Sequence, residues 1–184
     1  MARSSSGFVA GLTVAAIAAV GFLAYQASAN VPDTLGKPQA EKSPTVTASK
    51  SPRDTKNPTA LPGASGTGER VVYSIDDDRV WLVGANNKVR RTFKVTPGTV
   101  DPVPGTYKVT SRTAAGTGSD GKAVEHIVRF ALIDSVVFGF SAAVDGSTSA
   151  PDAAKKLGGI RELPADGRAM WEFATSNKKI VVIQ

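Results

Sequence analysis

The sequence predicts a mainly β domain with one C-terminal helix, preceded by an N-terminal hydrophobic helix and a disordered linker. Three observations lead there. Residues 70–184 hold a series of alternating or β-branched runs separated by Gly, Pro, Asn and Asp. A single stretch, opened by Pro164, has helical rather than strand spacing. The residues before Arg70 carry one uninterrupted apolar run and then a polar segment with no sustained period.

The apolar run lasts from Phe8 to Tyr25, without a charge and with Arg3 ahead of it. Its length suits a spanning helix and slightly exceeds a signal-peptide core, while Ala27, Ser28 and Ala29 form a small-residue cleavage pattern. Two readings stand for 1–29: a signal-anchor helix or a signal peptide cut after Ala29. Both place everything after Asn30 outside the cytoplasm, because the basic flank stays inside. The protein is then anchored in the cytoplasmic membrane facing outward, or secreted. Residues 30–69 are rich in Pro, Ser, Thr, Lys and Gly and bury too little apolar surface to offset their ordering entropy. They read as a disordered linker, leaving 70–184 as the folded β domain.

Within that domain "RVVYSI" and "RVWLVG" alternate on either side of Asp76, Asp77 and Asp78, which mark a turn. Asn86-Asn87 is a hairpin turn, because Asn tolerates positive φ, and "KVRRTFKV" is the returning strand. A Pro/Gly-rich stretch precedes "TYKVTSR", "AVEHIVRFALI" and "SVVFGFSAA", all rich in β-branched and aromatic residues. A loop rich in Gly, Ser, Ala and Asp spans 142–159. Pro164 begins the helix, Asp166 lies near its positive end, and Met170, Phe173 and Ala174 form its apolar face. "KKIVVIQ" closes the chain as a strand.

Composition narrows the chemistry. The net charge is +6, yet Lys and Arg are scattered and no basic run interleaves with aromatics. That pattern suits attraction to an anionic wall or lipid surface and argues against nucleic acid. There is no cysteine, hence no disulfide, thiolate metal site or cysteine nucleophile. His126 is the only histidine, sits within a strand, and has no partner in sequence that would make it a general base. "GTGSDGK", residues 116–122, fits a phosphate-cradling string. However, Ala123 follows where Ser or Thr would hold magnesium, and strands flank it, so a hairpin loop is the better reading. Asp76, Asp77 and Asp78 point in different directions and lack the spacing of a cation loop. No serine stands in a G-x-S-x-G elbow. Neither a metal nor a cofactor is expected.

Taken in order, "DPVPGTYKV", "VVFGFSAAVDGS" and "KLGGIRELPADGRAMWEFATSNKKIVVI" resemble the L,D-transpeptidase catalytic domain, the YkuD-like family of bacterial cell-wall enzymes. Pro104, Gly105 and Tyr107 fit the family's "TPxGxY/F" string with the proline shifted by one. Gly158, Ile160 and Arg161 fit its "SHGCIR" string. The resemblance implies a β-sandwich or open barrel with one C-terminal helix, acting on peptidoglycan stem peptides. It also implies that this chain is degenerate. The family's motif serine, histidine and nucleophilic cysteine fall on Lys156, Leu157 and Gly159, and its upstream histidine falls at Phe140 or Ser141. Covalent catalysis needs an activated nucleophile and an orienting base, and both are missing there. The expected ligand cleft comprises Phe140, Ser141, Gly158, Gly159 and Arg161, with Arg161 pairing to Glu162 or Asp166 if its role is only structural. Three functional readings follow: a non-catalytic domain binding wall peptide or an envelope protein; an enzyme whose nucleophile has moved, to Ser141, Ser147 or Ser149; or an unrelated secreted β-rich interaction module.

Overall fold

The computed structural model describes residues 54–184. The apolar N-terminal segment and most of the linker lie outside the described residues. No helix among the described residues is long and apolar enough to cross a membrane.

Among the described residues a short 3-10 turn (Gly63–Ser65) leads into nine strands and one α-helix: β1 (Arg70–Ser74), β2 (Arg79–Val83), β3 (Val89–Lys94), β4 (Gly105–Lys108), β5 (Ser111–Thr117), β6 (Ala123–Ile133), β7 (Val136–Ala143), β8 (Gly159–Glu162), α1 (Pro164–Phe173) and β9 (Lys179–Ile183). They form a five-stranded sheet, β3-β2-β1-β9-β4, and a four-stranded sheet, β5-β6-β7-β8. Two pairings are parallel, β1 with β9 and β7 with β8; the others are antiparallel.

Alternation explains the sandwich. Val71, Tyr73, Val80, Leu82, Phe93, Ile180 and Val182 from the first sheet meet Val128, Phe130, Phe138, Phe140 and Ile160 from the second, with Met170 of α1 and Ala174 just past its end at the same core. Phe130 and Phe140 stack at 5.3 Å, and Tyr73 meets Phe140 edge-on at 6.0 Å. The outer face of the first sheet carries Val72, Trp81, Val83 and Val181, packed with Leu61. Trp81 Nε1 donates to the Thr59 carbonyl at 2.9 Å, and the buried Arg70 guanidinium donates to Ser65 and Gly68 carbonyls. Residues 59–68 therefore pack on the domain although their composition reads as linker. Apart from Leu61 and the Ser65 hydroxyl, these contacts are made through backbone carbonyls, which composition does not register.

Asn87 and Asp78 take the expected positive φ in the first two turns, and Asp134 and Ser135 do so between β6 and β7. Two expectations are corrected. "TYKVTSR" is not one strand: it leaves the first sheet at Lys108 and joins the second at Ser111. Between them the buried Val109 donates to the Lys178 carbonyl and Thr110 donates to the Arg129 carbonyl. The loop expected over 142–159 is shorter: Ala142 and Ala143 belong to β7, and Gly159 opens β8, held on one side by β7 and on the other by Thr96, which exchanges backbone bonds of 2.9 and 2.7 Å with Arg161.

Candidate functional site

The site grows from the parallel β7–β8 register, in which Gly139, Phe140, Ser141 and Ala142 stand beside Gly159, Ile160, Arg161 and Glu162. Alternation sends Phe140, Ala142, Ile160 and Glu162 towards the core and α1. It leaves Gly139, Ser141, Gly159 and Arg161 on the opposite face. On that face lies a cavity of about 240 Å³ walled by Ser141, Gly139, Gly159, Val124, Ile127, Arg129 and Val137. The β5–β6 hairpin closes its remaining side with Thr117, Gly118 and Ser119.

That hairpin is the "GTGSDGK" string. Gly118 N–H donates to the Lys122 carbonyl at 2.8 Å and Gly121 sits at φ 84°, giving a three-residue loop of Ser119, Asp120 and Gly121. The loop is a hairpin as its flanking strands predict, but its tip reaches the site. Arg161 Nη2 donates to Asp120 Oδ2 at 2.8 Å, with the two side chains only 12% and 23% exposed. Ser119 Oγ would stand 3.2 Å from a Cβ placed on Gly159. A second, smaller cavity, also bordered by Ser119, Gly159 and Arg161, extends to Leu157, Thr96 and Ser149.

Of the residues expected in a cleft, the structure brings together Ser141, Gly159 and Arg161. Phe140 adjoins the cavity, but its fully buried ring belongs to the core. Gly158 serves packing: a Cβ there would come within 2.6 Å of the Val137 carbonyl oxygen and 2.9 Å of Phe138. Leu157 is buried, its N–H donating to Thr99 Oγ1 at 2.9 Å and its carbonyl accepting from Val100 N–H at 3.1 Å. The expected partners of Arg161 are corrected. Asp166 is held by Arg91, whose Nε and Nη2 donate to its Oδ1 at 2.8 and 2.6 Å, and Glu162 points to the other face.

Glu162 is fully buried, and neither of its carboxyl oxygens has a hydrogen-bond partner. Burial, reinforced by the nearby Asp166 carboxylate, raises its pKa well above the usual carboxylate range. Its Oε2 lies 3.6 Å from where a Cβ on Gly167 would stand, against the first turn of α1.

His126 is kept out of the cavity by a bulge. Between Glu125 and Val128 the register of β6 slips against β7, so that His126 and Ile127 together oppose Ser141. His126 takes φ 55° and lies 5.8 Å from the Trp171 ring on α1, whereas Ile127 lines the cavity. Ser141 Oγ therefore has an isoleucine across from it instead of an imidazole. Among the described residues no cluster of His, Asp or Glu is arranged to hold a metal ion. Asp76 accepts from Gln184 Nε2, and Asp77 and Asp78 lie in the β1–β2 turn.

One serine does have a basic neighbour. Lys122 Nζ donates to Ser147 Oγ at 2.8 Å, and Ser147 N–H donates to Asp145 at 2.9 Å. Hydrogen bonds from Ser147 lower the Asp145 pKa, assisted by Lys122. Sequence reasoning missed Ser119, Asp120, Ile127 and Arg129 as site residues. Only the "GTGSDGK" string drew notice to any of them, as a phosphate-cradling string read there as a hairpin loop.

This architecture is the L,D-transpeptidase-like fold. The L,D-transpeptidase of Stackebrandtia nassauensis superposes with TM-score 0.55 at 13% identity, over 68% of this chain and 62% of that one. The L,D-transpeptidase of Xylanimonas cellulosilytica gives TM-score 0.50 at 14% identity, over 67% of this chain and 65% of that one. The chain thus spans slightly less than two thirds of both. No family model matches the sequence, and no curated protein does. At such low identity the likeness establishes the fold.

Proposed function

We propose that residues 70–184 form a non-catalytic domain of the cell envelope that binds peptidoglycan stem peptide or an envelope protein. In this reading the segment before it is a tether, led by a membrane anchor or a cleaved signal. The observation that carries the proposal is the cavity between Ser141, Gly159 and the β5–β6 hairpin. It lies where the resemblance locates the family's chemistry, and its lining holds no thiol and no imidazole. The guanidinium of Arg129 and the hydroxyls of Ser119 and Ser141 suit hydrogen bonding to a peptide. A serine without a base at hand surrenders most of the rate of acyl transfer.

The contact between Ser147 and Lys122 favours one second reading, an enzyme with a relocated nucleophile. A lysine acts as a base only as a neutral amine, which requires desolvation. Lys122 is half-buried and already donates to Ser147.

One experiment separates the two. The full chain is incubated with purified stem tetrapeptide and, separately, with a carbapenem. Products and the intact protein mass are followed by mass spectrometry, and peptide binding by calorimetry. The expected result is saturable peptide binding, no cross-linked or trimmed product and no added mass. Turnover or a covalent adduct overturns the proposal, and an adduct lost in Ser147→Ala establishes the second reading.

A further inference from the structure

The two sheets have four edges, and three are protected. β3 carries Arg90, Arg91 and Lys94, with a register shift between β2 and β3 at Leu82/Val83. β4 is four residues long, follows Pro102 and Pro104, and ends in Lys108. β8 is covered by the two backbone bonds from Thr96. Charges, prolines, shortness and covering strands are the ordinary defences of a sheet edge. The fourth edge, β5, has none of them. Its seven residues, "SRTAAGT", form the outermost strand of their sheet, and all but Arg112 are exposed. Arg112, the sole charge, is folded away: its guanidinium lies 3.8 Å from the centre of the Trp171 ring and donates to the Trp171 carbonyl.

The direction of the free groups follows from the ladder. β5 pairs with β6 at the same offset on both sides of Ala114, from Ser111–Arg129 to Thr113–Ile127 and from Ala115–Glu125 to Thr117–Ala123, and Gly118 N–H bonds back to Lys122. Antiparallel alternation then turns the backbone groups of Arg112, Ala114 and Gly116 towards β6, where Arg112 and Gly116 pair with Val128 and Val124 and Ala114 stands opposite the bulge at His126. The N–H and C=O groups of Ser111, Thr113, Ala115 and Thr117 point outward.

We infer that β5 is a pairing edge for a second copy of this chain, joined antiparallel about a two-fold axis at Ala114. In that register Thr113 faces Ala115 and Ser111 faces Thr117, so every outward group meets an outward group of the other copy. Arg112 faces Gly116, and no like charges oppose one another. The small side chains let two sheets merge edge to edge without a clash along the strand. The interface is isologous and closes on itself, which limits assembly to a dimer. This pairing does not depend on what the cavity binds.

The test is sedimentation of the full chain across a dilution series, beside Ala115→Pro and Ala115→Lys. Because the Ala115 N–H points outward, proline there removes no bond to β6, and an unchanged circular-dichroism spectrum verifies the fold of both variants. The wild type is expected to pass from monomer to dimer with rising concentration. Both variants are expected to dissociate at least about tenfold more readily. Amide exchange at Thr113 and Ala115 slows only in concentrated wild type. The apolar N-terminal run is common to all three proteins, so any association it causes cancels in the comparison. A wild type that stays monomeric overturns the inference, as does association that neither variant weakens.

Discussion

The two faces of the β7–β8 pair carry opposite chemistry although they are built from alternate residues of the same strands. Facing the core, Phe140 and Ile160 are almost completely buried among aromatic and aliphatic neighbours. Facing away, Ser141, Gly159 and Arg161 border cavities closed by a hairpin tip. The core face is committed to stability, so its residues tolerate little change. The cavity face gives up packing to keep open space, so its residues can change with little cost to the fold. This difference lets the side chains on the cavity face vary while the strand pair that carries them stays fixed.

The largest expected effect tests that contrast at adjacent positions. Phe140→Ala removes a ring that touches both Phe130 and Tyr73, and is expected to destabilise the domain by about 3–5 kcal/mol. Ser141→Ala, one residue on, loses no hydrogen bond formed among the described residues and is expected to cost less than about 0.5 kcal/mol. Urea denaturation measures both. Equal losses would show that the cavity face is structural too.

A similar contrast holds between two adjacent glycines. In Gly158→Ala the new methyl comes within 2.6 Å of the Val137 carbonyl oxygen and 2.8 Å of a Val136 methyl. The backbone of β7 cannot yield cheaply, and a loss of about 1–3 kcal/mol is expected in the same denaturation experiment.

Glu162 breaks the simple division, because a carboxyl group lies on the apolar face with both oxygens unpaired. Its raised pKa fixes the sign of a pH effect. In the unfolded chain it ionises near the ordinary glutamate value, while in the fold burial makes it hold its proton to higher pH. Its contribution to stability is therefore fully present below the unfolded pKa and is lost as pH rises towards the folded pKa. Glu162→Gln is expected to flatten that decline, raising the thermal midpoint more at pH 8 than at pH 4. A midpoint that shifts equally at both pH values would mean Glu162 finds a charged partner after all.

Much of the architecture was legible from local pattern. The hairpins of β1–β3 follow from alternation and from asparagine at a positive-φ turn, and α1 follows from Pro164 and its apolar spacing. β8 was not legible, since four residues beginning with glycine become a strand only through Thr96 and β7, neither of which is local. The split of "TYKVTSR" is likewise set by distant partners, Lys178 and Arg129. For the site, the resemblance singled out Ser141, Gly159 and Arg161, which the parallel register does bring together. It also named Phe140, which borders the cavity while its ring turns to the core, and Gly158, which packs against β7; strand parity decides which side chain faces the cavity. Asp120 was beyond reach because the partner of a half-buried arginine is a matter of topology.

The smallest effect on stability, and the sharpest test of the cavity face, is expected from Gly159→Cys. The only atom within 4 Å of a Cβ there is Ser119 Oγ at 3.2 Å, the end of a side chain on an exposed hairpin tip that can rotate away. The variant should fold at a cost below about 1 kcal/mol. A thiol alone, however, is not an active nucleophile: thiolate formation at neutral pH needs a cationic or imidazole neighbour. Leu157 provides neither, and His126 stands on the far side of β6 against Trp171. Arg161 is near but already neutralised by Asp120. Gly159→Cys is therefore expected to react with a carbapenem no faster than a free cysteine, by intact-mass time course. Adding Asp120→Asn would release Arg161 to face the thiol and is expected to speed acylation. Rapid acylation of the single variant would show that the cavity still activates a nucleophile by itself, and that only the side chain at position 159 had been lost.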